Sequence, residues 1–161
     1  MEIQELDRAQ LHLAEAVLHR AFADVAEKFG LTQSNCPTNP AFITTERLIN
    51  EADNGIAQYG IWENGTLCGF FGIERREDWI ELTHLGVVPE FRHGGFGAAA
   101  VEFAKVHARR LGYKALRIGI IAENSVLKDW YARAGFAETR SQRFPQLPFT
   151  VCIMEAQTDI P

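Results

Sequence analysis

The stretch V-V-P-E-F-R-H-G-G-F-G-A-A-A, Val87–Ala100, sets three glycines within four residues, after an arginine and ahead of an alanine run. Glycine lets backbone approach a ligand closely, and a helix beginning near the alanines turns its first N–H groups and its positive dipole end toward an anion. The segment therefore predicts a strand end, an anion-holding loop and a helix start. A plainer alternative, in which the glycines only tighten a strand-to-helix turn, stays open at this point. The nucleoside triphosphate loop is excluded, because no G-K-[ST] follows the glycines. Gly95-Phe96-Gly97-Ala98-Ala99-Ala100 formally satisfies the dinucleotide pattern G-x-G-x-x-A. That pattern starts where its strand ends, inside repeated β-α-β units, whereas here a loop from Pro89 to Gly94 intervenes.

Working outward, the chain upstream is an antiparallel meander. Ile56–Trp62, the turn Glu63–Gly65 and Thr66–Glu74 form a hairpin whose Asn-Gly supplies the positive φ angles a tight turn needs. A third strand follows over Trp79–Val88. Further upstream, Leu11, Ala14, Val17, Leu18, Ala21, Phe22 and Val25 recur at helical spacing, predicting a helix from about Arg8 to Phe29. Thr32–Phe42, with two prolines, reads as a loop, and a second helix runs from a cap at Thr44 or Thr45 to about Asp53. A short first strand is expected at Ile3–Glu5. Downstream come a helix over Ala98–Leu111, a buried strand over Ala115–Ala122, a short helix capped by Asn124 or Ser125, and strands near Phe136–Arg143 and Phe149–Met154. The order predicts one α+β domain over residues 1–161, with a central mixed, mostly antiparallel sheet flanked by helices.

At 161 residues, 47% of them hydrophobic, the chain can bury one sizeable core. No apolar run is long enough to span a bilayer, and MEIQELDRAQ is too acidic for a signal peptide, so a cytoplasmic protein with no membrane partner is expected. Cys36, Cys68 and Cys152 are widely separated and odd in number, which predicts buried thiols and no metal centre. Residues 92–143 hold ten of the sixteen Lys and Arg but only Glu102, Glu123, Asp129 and Glu138, a local +6 against −11 elsewhere. The acidic total argues against a nucleic-acid partner.

R-H-G-G-F-G resembles the R/Q-x-x-G-x-G/A motif of the Gcn5-related N-acetyltransferases (GNAT), with Arg92, Gly95 and Gly97 at its fixed positions. L-G-V-V-P is similar to the exit of the family's fourth strand, and Asn124–Phe136 resembles its second characteristic segment, with Tyr131, Gly135 and Phe136 as Y-x-x-x-G-F. Two such motifs in order, with a strand between them, cover most of the chain. The resemblance implies an N-acetyltransferase using acetyl-CoA. Val87 and Val88 would mark where the strand splays to receive pantetheine, and the loop His93, Gly94, Gly95, Phe96, Gly97 and Ala98, anchored by Arg92, would hold the pyrophosphate.

Direct acetyl transfer to an amine needs a base for the amine's proton and an acid beside the sulfur. Glu81 is the first candidate base. It lies eleven residues before Arg92, the spacing of the glutamate in histone-acetylating relatives, among apolar neighbours that would raise its pKa. His84 is the alternative, facing away from Glu81 unless a bulge intervenes. The resemblance implies Tyr131 as the acid and backbone N–H groups around Val87 and Val88 as oxyanion donors. Asn124 would touch pantetheine or only cap its helix, and His93 and Lys128 would reach phosphate or stay at the surface. In this family the segments corresponding to Phe29–Phe42 and Ser141–Thr150 shape the acceptor pocket. Their phenylalanines Phe42, Phe144 and Phe149 would line a cleft or anchor the loops. The acidic excess favours a small cationic amine. Protein N-terminal or lysine acetylation, and a non-catalytic CoA-binding module, are the alternatives. A homodimer is expected from the resemblance alone.

Overall fold

The computed structural model describes residues 1–158. Strand β1 (Glu2–Glu5) leads through a single 3-10 turn into α1 (Leu11–Lys28), whose Leu11, Ala14, Val17, Leu18 and Ala21 are all buried as one stripe. Helix α2 (Thr45–Asp53) starts at Thr44, whose hydroxyl accepts the Arg47 N–H. β2 (Ala57–Glu63) and β3 (Thr66–Arg75) meet at Asn64 and Gly65, with φ of 50° and 78°, as the Asn-Gly signal requires. Then follow β4 (Ile80–Val87), α3 (Phe96–Arg110), β5 (Ala115–Ile121), α4 (Ser125–Arg133), β6 (Ala137–Arg143) and β7 (Thr150–Gln157). All seven strands form one sheet in the order β1-β2-β3-β4-β5-β7-β6, parallel only between β4 and β5. The α+β class and mixed sheet expected from the sequence are those of the structure.

Three boundaries differ from the expected ones by two residues or more, and the first is the start of α1, at Leu11 instead of Arg8, because Arg8–Gln10 form the 3-10 turn. α3 starts two residues before Ala98, because Gly95, at φ 83°, serves as its N-cap. β7 continues beyond Met154, because Glu155 and Gln157 are polar and end the apolar pattern while still pairing with Arg117 and Ala115 of β5.

The helices divide between two faces. A Cβ on Gly86 of β4 would meet Phe22 and Ala21, so the face of Gly86 and its partner Phe70 is covered by α1. Phe71, one residue along, points the other way, where its ring lies 5.7 Å from Phe103 of α3. α4 packs beside α3, with Lys105 Nζ donating to the Ala134 carbonyl at 2.7 Å. Phe70, Phe71, Ile61, Ile80 and Leu116 are fully buried at the centre. Each such side chain contributes about 1.5–3 kcal/mol over exposure. Cys36, Cys68 and Cys152 are buried and unpaired. Among the described residues no helix is long and apolar enough to cross a membrane.

Candidate active site

β4 and β5 pair at Ile80–Leu116 and Glu81–Arg117 and at no residue beyond. From Leu82 onward each strand keeps its outer neighbour, β3 or β7, and parts from the other. The opening, expected at Val87 and Val88, thus begins already at Leu82. Its edges carry backbone groups that an inserted extended chain would satisfy. The Val88 N–H is engaged, donating to the Cys68 carbonyl at 2.9 Å. Antiparallel alternation then turns the Val87 amide away from β3, toward the opening. Of the two amides expected as oxyanion donors, Val87 is the one that faces it.

A bulge in β4 settles the relation between the two candidate bases. The register against β3 shifts between Phe70 and Gly72, and His84 takes φ 51°, a left-handed conformation that a non-glycine residue rarely adopts inside a strand. Glu81 and Thr83 stand opposite Glu74 and Gly72. That row is completed by Gln58, whose amide donates to the Leu48 carbonyl of α2 at 2.9 Å, so it lies under α2. The bulge turns His84 to the same side, where its Nε2 lies 3.0 Å and 3.3 Å from the two carboxylate oxygens of Glu51 in α2. Glu81 and His84 therefore share one face.

Glu81 lies on the last paired rung before the strands part. Its Oε2 accepts the Trp79 indole N–H at 2.9 Å, and the Arg117 guanidinium stacks 4.0 Å from the Trp79 ring centroid while bonding Glu155 at 2.6 Å. Burial pushes the Glu81 carboxyl above the ordinary range, against the opposing pull of the Trp79 hydrogen bond. Glu51 goes the other way. Burial would raise it, but the bonds and charges of His84 and Arg47 outweigh that and hold it low.

Tyr131, 5% exposed, packs edge-on to Trp130 and Phe136. Burial drives its phenol well above the usual value, and its hydroxyl has no hydrogen-bond partner among the described residues. It is a neutral donor at any physiological pH. Asn124 caps α4 by accepting the Leu127 N–H at 3.2 Å. Lys128 pairs with Glu138 at 2.8 Å on the exposed surface.

In the glycine loop, Arg92 turns inward. Nε donates to the Val87 carbonyl at 3.1 Å, and the two terminal nitrogens reach Asp24 at 2.6 Å and the Ala21 carbonyl at 2.8 Å. The guanidinium ties the loop to α1, and its hydrogen bond holds the Asp24 carboxyl below its usual pKa. His93 has φ 66° and Gly95 φ 83°. No side chain caps α3, and the N–H groups of Phe96, Gly97 and Ala98 precede the first intrahelical bond, which Ala99 makes to Gly95. This donor set fits a pyrophosphate.

Three partners were not legible in the sequence. Glu51 stands four residues after Arg47 and reads as half of a helix-surface ion pair. Asp24 carries no spacing that points to Arg92, and Trp79, an expected apolar neighbour of Glu81, carries no sign that its indole N–H donates to that carboxylate. Segments 29–42 and 141–150 meet in a small apolar cluster in which Phe29, Leu31, Cys36 and Phe42 join Leu147, Phe149 and Ile121. Phe42 and Phe149 act there as anchors.

The description of the acetyltransferase (GNAT) family matches residues 18–136. No curated protein matches the chain by sequence. Among solved structures, the ribosomal-protein-S18-alanine N-acetyltransferase from Escherichia coli superposes with a TM-score of 0.78 at 18% identity, over 99% of this chain and 95% of that one. The PaiA N-acetyltransferase from Thermoplasma acidophilum, in complex with coenzyme A, gives 0.73 at 20% identity over 97% and 98%. A third, the putative acetyltransferase YncA from Salmonella typhimurium with acetyl-CoA, gives 0.70 at 18% over 100% and 95%.

Proposed function

The chain belongs to the acetyltransferase (GNAT) family, and from that premise we propose that it moves the acetyl group of acetyl-CoA directly onto a primary amine of a small molecule. The observation that carries the choice of a small acceptor is the cluster joining Phe42 to Phe149. It packs segments 29–42 and 141–150 against each other, and if these frame the acceptor as the family resemblance implies, the approach that a polypeptide would need is narrowed. The acidic balance of the chain outside residues 92–143 adds a preference for a cationic amine.

In this reading the amides of His93, Gly94, Gly95, Phe96, Gly97 and Ala98 hold the pyrophosphate, and the β4–β5 opening takes the pantetheine arm as a strand would. Acetyl-CoA supplies an activated thioester. The Val87 N–H polarises its carbonyl, Tyr131 donates to the departing sulfur, and the carboxylate or imidazole on the α2 face accepts the amine's proton. Arg92 holds the loop in place through α1 and Asp24. Asn124 and Lys128 act through their cap and ion pair.

A protein N-terminal amine is the second reading, favoured by the E. coli relative, which is named for ribosomal protein S18 alanine. Thiol release from acetyl-CoA, measured across small amines and alanine- and lysine-bearing peptides, decides between them. Turnover with small amines and little with peptides is expected. Turnover confined to peptides would replace the first reading by the second, and binding without any turnover would leave a CoA-binding module. A homodimer would form through the β1 or β6 edge of the sheet, and sedimentation at micromolar concentration tests it.

A further inference from the structure

The imidazole of His84 is held by a device that the reaction outlined above does not yet use. Its backbone sits at φ 51° in the middle of a strand. Such a conformation is strained for a residue with a side chain and persists where the surroundings over-determine it. Its Nε2 faces both oxygens of Glu51, at 3.0 Å and 3.3 Å, with the two side chains only 15% and 14% exposed. Glu51 is fixed in turn by Arg47 Nε at 2.9 Å, and Arg47 NH1 donates to the Thr38 carbonyl at 2.7 Å. The chain of contacts thus runs from the loop before α2, through α2, to the bulge in β4.

A carboxylate can only accept, so the ring nitrogen facing it must carry a hydrogen. Nε2–H therefore donates to Glu51, and whenever the ring is neutral its lone pair lies on Nδ1. No described residue donates to or accepts from Nδ1. We infer that Glu51 is a positioning residue, which fixes His84 as the Nε2–H tautomer and so makes Nδ1 the atom that accepts the proton of the acceptor amine. The inference rests on the acetyl-transfer reading. Acetyl transfer from a thioester to an ammonium yields an amide, a thiol and one proton. In that step the amine nitrogen bonds the acetyl carbon as the C–S bond breaks, and two N–H bonds of the ammonium break. One proton passes to Nδ1 and the other replaces the proton that Tyr131 gives to the departing sulfur. The resulting imidazolium, its other N–H on the Glu51 carboxylate, later releases its proton to water. The carboxylate stabilises this cation without itself becoming protonated, and Arg47 keeps it ionised. Glu81, on the last paired rung of β4, then acts on the surroundings of the site through Trp79.

Two measurements test this. In the first, the ring nitrogens of 15N-histidine-labelled protein are observed by NMR, with the His84 signals assigned from a His84→Asn variant, whose side chain tolerates the left-handed backbone. The expected result is a single Nε2–H tautomer, lost as a fixed state in Glu51→Ala. At a pH where the ring is neutral, a hydrogen on Nδ1 in place of Nε2, or a freely exchanging ring, would overturn the inference whatever the activity. In the second, His84→Gly, which adopts the bulge without strain, is assayed by thiol release with the best amine. Its kcat is expected to fall about 100-fold, the lower range for a lost general base, and to recover in part with added imidazole. Glu51→Gln should lower kcat about tenfold with the KM for acetyl-CoA unchanged. Normal turnover by His84→Gly, or no response to imidazole, would remove the proton-accepting role. If the unmodified protein releases no thiol with any amine, the acetyl-transfer reading fails and that role with it. The NMR result still reports on the pairing.

Discussion

Two carboxylates of the α2 face are perturbed in opposite directions, and each direction has its own consequence. Burial raises the Glu81 carboxyl, so the folded protein binds its proton more tightly than the unfolded chain does. That contribution to stability is complete below the ordinary carboxylate range and is lost as pH rises through the raised value. Glu81→Gln, which keeps the shape and the acceptor for the Trp79 indole, is therefore expected to melt at a higher temperature than the parent at pH 7. The gain should vanish when both are compared near pH 4. An unchanged or lower melting temperature at pH 7 would show that the Trp79 and Arg117 contacts outweigh burial. Glu51, held low by His84 and Arg47 despite its burial, acts in the other sense: its contribution is present above the ordinary range and lost as pH falls through the lowered value. Neither direction is visible in the sequence. Glu81 among Trp79, Ile80 and Leu82 suggests desolvation correctly, but the i, i+4 pair Arg47–Glu51 reads as solvated until His84 is brought to it across the fold.

The loop between β4 and α3 works as a unit whose backbone donors are aimed outward because its one arginine is spent inward. Gly95 carries the left-handed turn that lets α3 begin two residues earlier than the alanine run suggests. A Cβ there meets no atom within 4 Å, so the effect of Gly95→Ala comes from the φ of 83° alone. About 1–2 kcal/mol of destabilisation is expected, together with weaker coenzyme A binding by calorimetry. A Gly95→Ala protein that binds coenzyme A as tightly as the parent would dissociate the loop from the phosphate. Sequence spacing identified these glycines, since a backbone that must approach an anion needs residues without side chains at set intervals. It assigned Arg92 to the same loop, but the direction of its side chain depends on Asp24 and Ala21, 68 and 71 residues away.

Across the whole molecule, the feature on which the proposed function rests is the parting of β4 from β5 after a single pair of rungs. The sheet is held together on either side by antiparallel pairing, so a ligand entering the opening adds a missing strand to an otherwise complete sheet. Acetyl-CoA at a hundred times its dissociation constant should stabilise the fold by about 2.7 kcal/mol, a rise in melting temperature of roughly 5–10 °C. No rise with acetyl-CoA would sink the assignment of the opening. Local order, strand alternation, helix stripes, the caps to within one residue, at Thr44 or Thr45 and at Asn124 or Ser125, and the Asn64-Gly65 turn were all determined by the sequence, because each is an interaction between residues a few positions apart. The glycine motif belongs with them. Only the tertiary structure decided that β4 bulges at His84, that this bulge brings Glu81 and His84 to one face, and that Glu51 bonds His84 and Asp24 bonds Arg92. Those depend on which strands lie side by side and in what register, and a one-residue shift in register reverses every side chain of a strand.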